Sequence, residues 1–105
     1  MTLPLTQVLR IGSHAIKNQI RGGKYPLVLM LEPLLRCNLA CKGCGKIDYP
    51  DATLNRRLSY AEWMSAIDEC GAPAVSIAGG EPLLHKDMPQ IVKGYIERKK
   101  FVILC

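Results

Sequence analysis

Leu27-Val28-Leu29-Met30-Leu31, followed shortly by Cys37-Asn38-Leu39-Ala40-Cys41-Lys42-Gly43-Cys44, decides how this chain is read. The first stretch is continuously apolar, as suits a strand buried on both faces of a parallel sheet. Pro33 ends it. The second puts three cysteines on one short loop directly after that strand. In parallel α/β folds, functional groups gather on the loops at the C-terminal ends of strands. The pair therefore points to a strand that delivers a thiolate site to the mouth of a sheet.

The same alternation continues on either side. Before the strand, Leu5, Val8, Leu9, Ile16 and Ile20 recur at helical spacing, which predicts a helix over 6–21 stopped by Gly22-Gly23. After the cysteines, 45–58 has no period and reads as a loop. Ser59 and Glu62 match a capping box, in which each side chain satisfies a free N–H of the other's turn. Tyr60, Trp63, Met64 and Ile67 then form an apolar stripe that Gly71 ends. Residues 74–78 make a second strand, running into Gly79-Gly80-Glu81-Pro82. Asp87 is placed to cap a helix with Pro89 in its first turn and Ile91, Val92, Tyr95 and Ile96 as its apolar face. Gly94 weakens that helix relative to Ala. Residues 101–104 make a third strand.

Helix, strand, helix, strand, helix, strand implies right-handed βαβ units and a parallel α/β sheet. Three parallel strands neither close a barrel nor cover both edges, so the expectation is the first part of a longer α/β protein. It divides into an N-terminal amphipathic helix over 1–24 and the start of a core domain over 25–105.

The 105 residues are 49% hydrophobic with a formal charge of +5, enough apolar content for a packed core. The charge is dispersed, with no run that suggests a nucleic-acid tail. Five cysteines, three of them crowded together, do not resemble a secreted disulfide framework. A metal site in a reducing compartment fits better. With no leader pattern and no spanning apolar run, the expectation is a cytoplasmic protein. The N-terminal helix is expected to cover one end of the domain, and peripheral contact with a membrane is the sharper alternative.

Cys37, Cys41 and Cys44 can wrap one metal centre. Cluster iron is normally held by four thiolates, so three leave an iron open, and an open position marks a reactive site. A structural zinc would need a fourth ligand, for which Cys70, Cys105, His14 and His85 are the Cys and His candidates. Cys70 reads better as a buried thiol at a helix end. Gly79 and Gly80 allow a close approach to the backbone, and Glu81 offers a carboxylate to an ammonium group. The plainer reading of that segment is a glycine turn beside an exposed acid.

Cys37 to Cys44, together with Gly79 to Pro82, resemble the radical S-adenosylmethionine (SAM) superfamily from about Leu27 onward. The resemblance implies a partial or full (β/α) barrel. It implies a 4Fe–4S cluster on Cys37, Cys41 and Cys44, with SAM on the fourth iron and its amino group held by Gly79, Gly80 and Glu81. It also implies an electron donor such as flavodoxin or ferredoxin. Many members carry an aromatic residue where Gly43 stands. Within the superfamily, residues 29–49 and 76–88 resemble the radical SAM enzymes of hopanoid biosynthesis, which join a 5′-deoxyadenosyl group to the alkene of a hopene triterpene. That chemistry needs a hydrogen-atom donor, and Cys105, at the end of the third strand, is a candidate. A small residue closing a strand is the equal alternative for Cys105. Lys46, Asp48, His85 and Lys86 read as surface residues of loops at the mouth. Two other functions stay open: a radical SAM enzyme of another reaction type, such as methyl transfer or hydrogen abstraction, and a non-catalytic Fe–S or zinc module.

Overall fold

The computed structural model describes residues 2–32 and 34–105, and the side chains of Lys46 and Ile47 are not described. The expected strand end at Pro33 lies outside the described residues. A helix α1 (Leu5–Arg21) leads into strand β1 (Val28–Leu31). A 3-10 turn (Gly45–Asp48) and a short helix α2 (Asp51–Leu54) precede helix α3 (Tyr60–Cys70) and strand β2 (Ala74–Ile77). A second 3-10 turn (Pro82–Leu84), helix α4 (Met88–Glu97) and strand β3 (Phe101–Leu104) complete the described order.

The strands pair in parallel in the order β1-β2-β3, with Leu29, Val75 and Val102 abreast and Leu31, Ile77 and Leu104 abreast. Residues of that parity pack against α3 and α4, apart from Leu104, which is exposed. Trp63, Met64 and Ile67 of α3 and Met88, Ile91 and Tyr95 of α4 form one buried cluster with Val75 and Ile77. Leu29, Leu31 and Val102 lie against its margin. Both crossover helices therefore cover the same face. A doubly wound sheet would place helices on both faces, whereas consecutive strands with all helices outside are how a (β/α) barrel begins. The fold is α/β with an N-terminal helix and an open three-stranded parallel sheet, compatible with part of a radical SAM barrel.

The other face is the inward side of such a barrel. Val28, Met30 and Ile103 point there and are exposed, Met30 to 71%. This corrects the reading of β1 as buried on both faces, since alternate residues of β1 remain open to solvent. Among the described strands, β2, with a partner on each side, is the one buried at all four positions.

Local rules account for the helix ends. Ser59 Oγ accepts the N–H of Glu62, and Glu62 accepts the N–H of Ser59 at 2.6 Å, which closes the capping box. Gly71 stops α3 in the left-handed conformation at φ 69°. Asp87 precedes α4, but its side chain makes no capping bond, and Ile96 is exposed rather than part of the buried face. Gly94 is buried where α4 crosses α3. A Cβ there would meet Tyr60 Oη at 2.8 Å and Met64 Sδ at 2.9 Å, so close helix packing offsets its poor helix propensity. Tyr95 donates its hydroxyl to Trp63 O, and burial pushes its phenol above the ordinary range.

Candidate metal and cofactor site

The C-terminal ends of β1, β2 and β3 lie on one edge of the sheet. The loops that follow β1 and β2 carry Cys37–Cys44 and Gly79–Glu81, and Cys105 directly follows β3. All five cysteines are free thiols. Cys37 is partly shielded and its Sγ accepts the N–H of Leu39 at 3.4 Å. Cys41 and Cys44 are exposed. A turn brings them round, with Cys44 N–H donating to Cys41 O at 3.1 Å. Gly43 sits in that turn at φ 83°, in the region that favours glycine. The turn itself thus asks for glycine at the position where the resemblance would have led one to expect an aromatic side chain. Cys41, Cys44, Gly43, Gly45 and Asp48 line an open concavity of about 410 Å³.

Among the described residues, no three His, Cys, Asp or Glu side chains converge on one metal ion. Cys41 and Cys44 border the hollow, and Cys37 lies earlier on the same loop. The donor set of three free thiols fits an iron–sulfur cluster.

The Gly-Gly-Glu segment is held to the cysteine loop through its backbone. Ala78 N–H donates to Leu31 O, Gly80 N–H to Leu34 O at 3.1 Å, and Glu81 N–H to Arg36 O at 3.0 Å. A Cβ on Gly79 would stand 2.6 Å from Leu34 O, and Gly79 has φ 121°. A Cβ on Gly80 would collide with the carbonyl oxygens of Leu35 and Arg36. The glycines thus admit the chain's own backbone on that side. Glu81 Oε1 accepts Leu83 N–H at 3.0 Å, which caps the following turn and fixes the carboxylate at the mouth.

Cys105 donates its N–H to Ile77 O at 2.9 Å, and its Sγ lies 3.7 Å from Ser76 Oγ. Ser76 pairs with Met30 and Ile103 across the sheet, so this thiol–hydroxyl contact belongs to the open inner face. Ser76 was not singled out from the sequence. Its position on β2 beside a strand-end cysteine is the signal that could have found it.

The loop after the cysteines is more ordered than expected. Besides its 3-10 turn and α2, it makes an antiparallel bridge between Leu34 and Arg57. Arg36, next to Cys37, donates to Asn55 Oδ1 at 3.0 Å and Asp51 Oδ1 at 3.2 Å, tying α2 to the cysteine loop. His85 is corrected from a surface residue to a buried one, 2% exposed. Its Nδ1 accepts Asp87 N–H at 3.2 Å, so the neutral ring carries its proton on Nε2 and donates to Leu58 O at 3.0 Å. It pins the segment after Glu81 to the entry of α3. Asp48 and Lys86 are exposed, as expected, and the side chain of Lys46 lies outside the described residues.

The chain is 37% identical over 70 residues to the PqqA peptide cyclase of Xanthomonas oryzae pv. oryzae (strain MAFF 311018). The PqqA peptide cyclase of Xanthomonas campestris pv. campestris (strain 8004) matches equally, and that of Xanthomonas euvesicatoria pv. vesicatoria (strain 85-10) at 36%. This likeness supports the radical SAM superfamily. It agrees with the expected 4Fe–4S cluster and SAM, and it does not single out the hopanoid enzyme. Each match covers 64% of this chain and 18% of the relative, so the chain spans under a fifth of the length of these curated relatives. No family model and no solved structure matches the chain.

Proposed function

We propose that this chain forms the cluster-bearing first part of a radical SAM enzyme. The observation that carries the proposal is the backbone lock between the Cys37–Cys44 loop and Gly79–Glu81, which sets a three-thiol donor loop beside a carboxylate at one mouth. Cys37, Cys41 and Cys44 would each hold one iron of a 4Fe–4S cluster, and main-chain atoms of Gly79 and Gly80 with Glu81 would hold the amino group of SAM. When bound, the two together supply reductive cleavage of SAM to methionine and a 5′-deoxyadenosyl radical. The electron comes from a donor of the flavodoxin or ferredoxin kind.

The name of the relatives gives a peptide as what they act on, which favours a reaction other than adenosyl transfer to a hopene. A second reading keeps the hopene. It rests on the likeness of residues 29–49 and 76–88, and on a thiol, Cys105, at the end of an inner face bearing Val28, Met30 and Ile103. In that reading the 5′-deoxyadenosyl carbon bonds to the alkene and leaves a carbon radical. Cys105 Sγ gives it a hydrogen atom, and the resulting thiyl is restored by one electron and one proton.

The test uses the whole protein, anaerobically reduced, with SAM and either a hopene or a peptide. A covalent adenosyl-triterpene establishes the hopene reading. Free 5′-deoxyadenosine with an altered peptide establishes the other. A protein with no labile sulfide, or a cluster spectrum indifferent to SAM, would overturn the proposal as a whole.

A further inference from the structure

α1 turns the wrong side inward for a helix that merely covers the domain. None of its 17 residues is buried. Its partly shielded residues include Gln7, Ile11, His14 and Asn18, one strip at helical spacing. His14 Nε2 contacts Pro26 O at 3.0 Å, and its ring meets that of Tyr25 edge-on, so this mixed strip is what faces the connection to β1. Leu5, Leu9, Ile16 and Ile20 form a second strip, bordered by Val8, that faces solvent, Ile20 to 82%. Arg10, Lys17 and Arg21 align on a third strip, and α1 contains no acidic residue.

We infer that α1 is a membrane-surface helix whose occupant is an anionic lipid bilayer. The exposed aliphatic strip would enter the boundary between headgroups and acyl chains, with the guanidinium and ammonium groups reaching back to lipid phosphates. Lys24, just beyond the helix, extends the positive surface. Among the described residues no helix is long and apolar enough to cross a membrane, so the contact is one of lying on the surface. Charge complementarity favours lipid over another protein surface. An aliphatic strip beside a purely cationic one matches the layering of a bilayer, with hydrocarbon below and phosphate above. The inference depends on neither the cluster nor the reaction.

The experiment is co-sedimentation of the whole protein with phosphatidylcholine vesicles, with and without phosphatidylglycerol. Binding to the anionic vesicles is expected. Substituting Arg10, Lys17 and Arg21 together by Gln should lower the partition coefficient by about 100-fold, from roughly fivefold per charge. Ile16→Gln with Ile20→Gln should also release the protein from vesicles, with an unchanged melting midpoint. Three results would overturn the inference. One is no binding to anionic vesicles. Another is a melting midpoint that falls in the isoleucine variant, showing that the strip packs against the protein's own body. The last is a dimer, seen by light scattering, that this variant dissociates. Iron, sulfide and SAM response are measured separately, so failure here is distinguishable from failure of the radical SAM proposal.

Discussion

Gly80→Ala is the sharpest perturbation the geometry offers. The added methyl would collide with the carbonyl oxygens of Leu35 and Arg36, and both are main chain, so neither can swing aside as a flexible side chain would. Relief requires the two loops to part. The bonds at risk are Gly80 N–H to Leu34 O at 3.1 Å and Glu81 N–H to Arg36 O at 3.0 Å. Each contributes about 1 kcal/mol net, so the variant should lose about 2 kcal/mol. That is roughly a thirtyfold shift in the folded-to-unfolded ratio. Because these bonds also set the cysteine loop against Glu81, the reduced cluster's spectrum should respond less to added SAM. The unaltered protein is the control. The assay is denaturant unfolding of the whole protein, with iron and sulfide content and spectroscopy in the absence of oxygen. A Gly80→Ala protein with the midpoint and SAM response of the control would refute the reasoning.

Ser59→Ala removes the hydroxyl that receives Glu62 N–H and should cost about 1 kcal/mol, read from the urea midpoint. Hydrogen bonds from Ser59, first its backbone N–H and then its hydroxyl, hold Glu62 below its ordinary 4.5, and the hydrogen bond from Arg98 holds Asp68 below 3.8. These carboxyls stabilise the fold fully above their ordinary values, and the contribution is lost as pH falls through the lowered ones, so the urea midpoint should drop in acid below about pH 4. Tyr95 works in the opposite direction. Its raised phenol stays neutral in the fold while the unfolded chain ionises above 10.0, so stability should also decline in strong alkali. His85→Ala leaves Asp87 N–H and Leu58 O without their partner and opens a gap beside Trp63. It should lower stability by about 2–4 kcal/mol, read from the urea midpoint, without altering iron per chain. Cys41→Ser should instead reduce iron and sulfide content.

The helices and strands were legible where a short-range rule governs them. Ser59 with Glu62, Gly71, and Trp63, Met64 and Ile67 of the stripe all act within a turn or two, and the structure has them as read, whereas Tyr60, also read as part of the stripe, is exposed. The cysteine loop was legible because its three thiols lie within eight residues. What escaped depends on distant partners. His85 is buried by its bond to Leu58, 27 residues away, which Leu84-His85-Lys86 does not announce. The solvent-facing side of β1 depends on what lies across the sheet, and five apolar residues in a row do not encode that. α2 is four residues long, too short to show a period. The glycines at 79 and 80 were recognised as sites of close approach. That their Cβ directions face Leu34–Arg36 follows only from the parallel pairing of β1 with β2.

The lock between the first two loops uses amide hydrogens and carbonyl oxygens alone. Leu35 and Arg36 contribute their main chain to it, and Arg36 turns its guanidinium outward to Asp51 and Asn55. Side-chain changes along this segment therefore leave the spacing between the cysteine loop and the Glu81 carboxylate intact. Mutation can reshape the surface of the mouth while the separation of its two loops stays constant.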